Sequence, residues 1–464
     1  MLEALWLAEE AAAATGGRLV GADSWVAGGV SIDTRTLEPG DLFVALKDVR
    51  DGHDFVEAAF AKGAAAALIS DERALGFGPA LVVPDVLKAL EALGAAARDR
   101  SAAKRVAITG SVGKTSVKEA TLLCLAASAR THASVKSYNN HWGVPLTLAR
   151  MPKEAAFGVF ECGMNHRHEI EPLSRLVKPH VGVVTWIAPA HIENLGTLAA
   201  IAEEKGDIYQ GLMPDGAALV PNEAPHAEVL IQAAQRWAGQ TVRFGREAGC
   251  EARLLSYEAD GSGARAQAEV FGRRIAYRVG ADGAHWALNS LAAITAAHLA
   301  GGDLEAAAGA LADLRPLDGR GATSVIRASF GTITVIDDAY NANPASMALA
   351  LESLKDRTPA AGGRRIAALG DMRELGPDSP QYHAAMAAPA QQGLVDLVFT
   401  AGPMMAHLAQ ALPAAMQGAH AASSQELIAP LTQVLRDGDI ILIKGSNGSQ
   451  MARVVEALKA LAAT

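Results

Sequence analysis

The run Thr109-Gly110-Ser111-Val112-Gly113-Lys114-Thr115-Ser116 has the composition of a phosphate grip. Glycines let the backbone turn tightly, so that successive N–H groups face an anion. A lysine at the start of a helix adds its charge to the helix's positive end, and the hydroxyl that follows can ligate Mg²⁺. The spacing is G-x-x-G-K-T, a shortened form of G-x-x-x-x-G-K-[ST], because Ile108 stands where the first glycine would be. Val106-Ala107-Ile108-Thr109 reads as a strand and Ser116-Val117-Lys118-Glu119-Ala120 as a helix. That flanking separates the run from an ordinary turn with an exposed lysine, and ATP is the expected ligand.

Three more side chains could serve phosphoryl transfer. Glu161 ends the strand-like run Phe157-Gly158-Val159-Phe160, and strand ends in a parallel sheet face the ligand crevice. A carboxylate there, opposite Thr115, suits Mg²⁺. His191 follows the strand-like Val181 to Trp186 and would share that rim, although a lone histidine is more often structural. Lys205 lies among Glu203, Glu204 and Asp207, which by itself reads as a solvated charge run. These residues gain meaning only as one site.

Elements must hold them there. A chain of 464 residues exceeds one ordinary core, and three regions separate on pattern. Residues 1–103 mix strands (Asp41 to Leu46, Ala64 to Ile69, Ala80 to Val83) with helices (Asp54 to Lys62, Val86 to Ala97). Residues 104–314 alternate strands (Arg105 to Thr109, Phe157 to Cys162, Val181 to Ile187) with helices (Lys114 to Ala127, Leu198 to Leu212, His285 to Leu299). That alternation predicts a mostly parallel sheet. Glu251 to Val279 alternates polar and apolar residues about Gly261-Ser262-Gly263, predicting a small antiparallel insert. Residues 315–464 predict a Rossmann-like domain, with strands at Thr332 to Asp337, Arg365 to Leu369, Leu397 to Thr400 and Ile440 to Ile443. Its helices are expected at Pro344 to Leu354, Tyr382 to Gln391 and Ser449 to Leu461.

Composition narrows the setting. A net charge of −9 argues against nucleic acid as a partner. Cys124, Cys162 and Cys250 are too scattered for a zinc site or a disulfide framework, which fits a reducing cytosol. Met1 to Thr15 carries Glu3, Glu9 and Glu10 and reads as no signal peptide, and no apolar run has the length of a membrane span. A cytoplasmic protein without membrane insertion is expected.

Taken together, these stretches resemble the Mur ligases, the ATP-dependent amide-forming enzymes of peptidoglycan precursor synthesis. Residues 109–116 look like the family's shortened phosphate loop, Glu161 like its Mg²⁺-ligating glutamate and His191 like its metal-proximal histidine. Lys205, in Glu204-Lys205-Gly206-Asp207, matches the lysine that members carry as a carbamate. Asp337 to Met347, Leu369 to Gly376 and Lys444-Gly445-Ser446 resemble the branch that adds D-alanyl-D-alanine to UDP-N-acetylmuramoyl-tripeptide. Ser31-Ile32-Asp33-Thr34-Arg35 and Asp51-Gly52-His53-Asp54-Phe55 resemble segments that hold the uridine nucleotide.

The resemblance implies a three-domain α/β monomer: a UDP-substrate domain, a central P-loop-type ATPase domain and a C-terminal Rossmann-like domain. It implies ATP, two Mg²⁺ ions at Thr115, Glu161, His191 and Lys205, and Lys114 and Arg320 on the phosphates. Asn289, Asp338 and Asn341 are expected on the nucleotide. Ser31, Asp33, Thr34, Arg35, Gly52, His53, Asn343 and Lys444 are expected on the other substrates. Relatives often carry His-Asn-x-x-Asn beside adenine, whereas this chain reads His285-Trp286-Ala287-Leu288-Asn289, so Trp286 either stacks on the base or packs. Two other amide ligases are weighed against this reading: the tripeptide-forming branch, whose D-N-P-R motif is absent, and the folate enzymes, which lack uridine segments. A noncatalytic ATP-binding scaffold would need the loop but not Glu161, His191 and Lys205 together.

Overall fold

The computed structural model describes residues 4–135, 137–260, 263–281, 283 and 285–462. Three main sheets follow one another along the chain, and a two-stranded antiparallel pair joins Trp6–Leu7 to Val26–Ala27. The first has five strands in the order Arg18–Val20, Ala80–Val82, Ala66–Ile69, Asp41–Val44, Gly29–Ser31, parallel except at Arg18–Val20. Ala66–Ile69 is buried on both faces, which is why it reads as an unbroken apolar run.

The second sheet carries the phosphate loop. Its order is Arg273–Val279, Ala264–Val270, Ala252–Ala259, Gln240–Gly245, Ala217–Pro221, Val181–Val184, Lys104–Thr109, Phe157–Glu161, Thr131–Ala133. The strands from Thr131–Ala133 to Ala252–Ala259 pair in parallel. The last two pairings are antiparallel. The expected antiparallel insert is therefore an extension of the main sheet, joined through Phe244–Ala252 and Gly245–Arg253. Its expected turn at Gly261 and Ser262 lies outside the described residues. Lys104–Thr109 sits between Phe157–Glu161 and Val181–Val184, with Glu161 in register with Ile108 and Val184 with Thr109. That register brings Glu161 to the mouth of the phosphate loop.

The third sheet runs Ala322–Ala328, Gly331–Asp338, Ile440–Lys444, Arg365–Gly370, Leu397–Ala401, Gln417–Ala421, parallel except for the first pair. Two expected helices are shorter than read. Leu198–Gly206 gives way to a tighter turn at Asp207–Gly211, and Tyr382 to Gln391 is split into Ser379–Ala384 and Ala387–Gln392.

Candidate active site

The phosphate loop is built where the strand Lys104–Thr109 gives way to the helix Lys114–Ala126. Gly110 has φ +150° and a side chain there would meet Thr185 Oγ1 at 1.9 Å. Gly113 has φ +84° and faces Asn289 Oδ1. Both glycines answer a conformational and a packing demand at once. Ser111 N donates to Trp186 O at 2.8 Å, and the Thr185 hydroxyl donates to Val112 O. Lys114 Nζ donates to Gly110 O at 2.7 Å, across the loop. Among the described residues, the hydroxyls of Thr109 and Ser111 are buried with no hydrogen-bond partner. Orphaned buried hydroxyls in a loop of this shape fit a phosphate.

Thr115 Oγ1 donates to Glu161 Oε2 at 2.7 Å, and both residues are 1% exposed. Asn139 Nδ2 donates to the other oxygen, Oε1, at 2.7 Å. Glu161 is thus oriented from two sides. A hydroxyl and a carboxylate already in contact, beside a phosphate grip, suit Mg²⁺, which takes few protein oxygens and completes its shell with phosphate and water.

Lys205 is also 1% exposed, which overturns the solvated-run reading for it. Burial holds its ammonium pKa well below the ordinary lysine value, with repulsion from Lys114 adding to the shift and Glu204 opposing it. Glu204 is buried too. Its carboxylate accepts the backbone N–H groups of His168, Glu169 and Ile170 at 2.7 to 3.0 Å, capping the helix Ile170–Val177. Lys114 is likewise pushed down by burial and by Arg320, against the pull of Glu161.

Arg320 comes from the third region. It donates to Ser137 Oγ at 2.9 Å and lies over the Tyr340 ring at 4.3 Å. With Thr115, Ser116, Glu119, Trp286 and Leu317 it lines one narrow cleft. Asp338 accepts from Lys444 Nζ at 2.6 Å, and Lys444 also donates to Asn341 O at 3.0 Å. Burial raises the Asp338 pKa, opposed by Lys444 and Arg320.

Several expected site residues are placed otherwise. His191 is held by Glu374 of the third region, and among the described residues no hydrogen bond or ion pair joins it to Thr115, Glu161 or Lys205. Trp286, for which the sequence leaves stacking and packing both open, is 2% exposed and packs in the core of the second region while bordering the cleft with Arg320. Asn343 caps the helix Pro344–Glu352, its side chain accepting from Ser346 N at 2.9 Å. Ser31 is buried and bonded to the Asp33 backbone. His53 is buried between Asp51 Oδ1 at 2.6 Å and Ser70 N at 2.9 Å. These last three side chains shape the backbone of the site. By contrast, Asp33, Thr34, Arg35 and Gly52 line a cavity of ≈ 860 Å³.

That cavity has a second wall which the motifs did not announce: Tyr138, His141 and Trp142. The signal was present as a dense polar and aromatic run, Tyr138-Asn139-Asn140-His141-Trp142, ahead of a glycine. Glu374 was also missed as a partner, although it lies inside a quoted motif.

Comparison with known proteins agrees with this layout. Residues 27–141 match the Mur ligase family catalytic domain, residues 108–297 the Mur ligase middle domain and residues 319–447 the Mur ligase glutamate ligase domain. The UDP-N-acetylmuramoyl-tripeptide–D-alanyl-D-alanine ligase of Escherichia coli is 34% identical over 96% of this chain and 96% of its own. That of Rickettsia prowazekii is 31% identical, over 92% of this chain and 94% of its own. The crystal structure of MurF from Acinetobacter baumannii superposes with a TM-score of 0.85 at 28% identity, covering 99% of both chains. The similarity runs through all three sheets and through the phosphate loop, and the chain belongs to the Mur ligase family.

Proposed function

We propose that this chain is an ATP-dependent ligase that joins D-alanyl-D-alanine to the terminal carboxylate of UDP-N-acetylmuramoyl-tripeptide, forming ADP and phosphate. The observation that carries the reading is the gathering of Lys114, Thr115 and Glu161, with Lys205 and the third region's Arg320, around one phosphate loop. The relatives at 31% and 34% identity bear the name of this activity over nearly their whole length.

A carboxylate is a poor electrophile, so it is first phosphorylated, and the dipeptide amine then displaces phosphate. The first step brings two anions together and is served by positioning and charge neutralisation. Lys114 and the loop N–H groups hold the β- and γ-phosphates, and Arg320 reaches the γ-phosphate from the third region. Bound Mg²⁺ would neutralise phosphate charge and draw the acceptor carboxylate towards it. Thr115 and Glu161 would hold it on this reading, and Lys205, as a carbamate, would offer a further oxygen. The cavity between Arg35 and Trp142 takes the uridine end of the substrate, and the Asp338–Lys444 pair faces the nucleotide and dipeptide. The units 1–103, 104–314 and 315–464 carry uridine, ATP and dipeptide respectively, in a cytoplasmic monomer.

The test is phosphate release from Mg·ATP. It is expected to require UDP-N-acetylmuramoyl-tripeptide and D-alanyl-D-alanine together. Turnover indifferent to both substrates would sink the reading.

A further inference from the structure

One short connector, Ser137 to Trp142, touches Arg320, Glu161 and the large cavity. Ser137 Oγ accepts from Arg320 of the third region at 2.9 Å. Asn139 Nδ2 donates to Glu161 Oε1, and Asn139 O accepts from Gly163 N, both at 2.7 Å. Tyr138, His141 and Trp142 line the large cavity. The rings of Tyr138 and Trp142 brace each other edge to face, with centroids 5.4 Å apart. Asn140 Oδ1 accepts from Gly143 N at 2.9 Å and closes the turn between them.

The far end of the connector is anchored in the first region. Trp142 leads directly into the helix Gly143–Ala149, every residue of which is buried. Leu146 and Ala149 belong to the first region's core. Trp6 Nε1 donates to Ala149 O at 2.8 Å, and Arg150 Nε donates to Val30 O at 2.6 Å. The connector is short and held at both ends and in the middle, so its rings and the Glu161 carboxylate are joined through packed and hydrogen-bonded groups.

We infer that this connector couples the two ligand sites, so that filling the large cavity with the UDP-linked substrate tightens the binding of Mg·nucleotide. The inference rests on the ligase reading for the identity of the cavity's occupant. Tyr138 and Trp142 offer ring faces that a bound uridine can hold in one arrangement, which is the differential contact that coupling requires. In that arrangement Asn139 is fixed on Glu161. Tyr138 and Trp142 are then positioning residues, acting on Glu161 through Asn139. The effect is reciprocal by linkage.

Calorimetry of Mg·AMPPNP binding, with and without saturating UDP-N-acetylmuramoyl-tripeptide, reads the coupling as a ratio of two dissociation constants. In the wild type the ratio is expected to be at least about fivefold. Trp142→Leu should bring it to about one, and Trp142→Phe should keep most of it. Tyr138→Leu gives the same readout should Trp142→Leu fail to fold, and thermal unfolding of each variant reports folding separately. A wild-type ratio of one, or an undiminished ratio in both leucine variants, overturns the coupling while leaving the ligase reading intact. Failure of the wild type to bind UDP-N-acetylmuramoyl-tripeptide at all overturns both.

Discussion

Lys114 and Lys205 are two cations within one another's field, and their environments push both towards the neutral form. For Lys114 a phosphate restores the balance, because an anion favours the charged ammonium. Lys114→Ala is therefore expected to lower the rate of phosphate release by roughly 100-fold or more with the fold unchanged, since an alanine leaves no charge on the transferring group. Retained turnover would remove Lys114 from the mechanism. For Lys205 the neutral amine is the reactive form, since only it adds CO₂. Its folded-state pKa is depressed by burial, so the neutral amine is more available than in a free lysine and is lost as pH falls through the folded value. Carbon-13 bicarbonate should give a protein-bound carbamate resonance that fades on acidification. Lys205→Arg, which stays charged, should lack it. A wild-type spectrum with no such signal at any pH would exclude the modification.

At the scale of elements, the strand Thr131–Ala133 closes the edge of the central sheet and leads into the connector. It carries His132, whose Nε2 lies 2.8 Å from Thr147 O. Burial pushes this imidazole down to about 4, from an ordinary 6.5. The unfolded chain thus takes up the proton first. The stability involved is fully present above about pH 6.5 and is lost as pH falls towards the folded value, by at most about 3 kcal/mol. Urea unfolding of wild type and His132→Gln, compared from about pH 7.5 to about pH 4.5, should show a shallower loss in the variant. Parallel curves would mean that this histidine does not contribute. Gly110 shows a different dependence. A Cβ at Gly110 would meet Thr185 Oγ1 at 1.9 Å, so the loop packs closely against the end of the neighbouring strand and the grip exists only while the sheet is assembled.

At the scale of the whole molecule, polar contacts join the third region to the second. Arg320 meets Ser137, and Glu374 holds His191 while its carbonyl accepts from Glu193 N at 3.3 Å. Ile192, beside that pair, packs against the cores of both regions. Polar contacts of this kind hold domains loosely enough to move. Glu374→Ala is expected to enlarge the radius of gyration of the free protein in small-angle scattering. Mg·AMPPNP with the UDP-linked substrate should return it towards the wild-type value. Identical radii in all three samples would argue that this contact does not control the arrangement.

Much of this was legible in the residues alone. The phosphate loop is local: its glycines, lysine and threonine lie within one turn, and their types state their purpose. Strands buried on both faces are long apolar runs, so the alternating α/β order could be read as well. Burial was not legible where charge misled. Lys205 and Glu204 look solvated in sequence, yet the fold buries both, because the carboxylate caps a helix made by residues far back in the chain. Ser31, His53 and Asn343 carry side chains suited to ligands, but nearby backbone groups claim them first. Pairing across long sequence separations was the other blind spot. Glu374 with His191 and Arg320 with Ser137 depend on how the second and third regions pack, and Asn139 with Glu161 on how a loop folds back over the central sheet; no local pattern encodes either. The sequence by itself determined the chemistry available to this protein. The tertiary structure decided which groups meet, since desolvation and contact are properties of the assembled core.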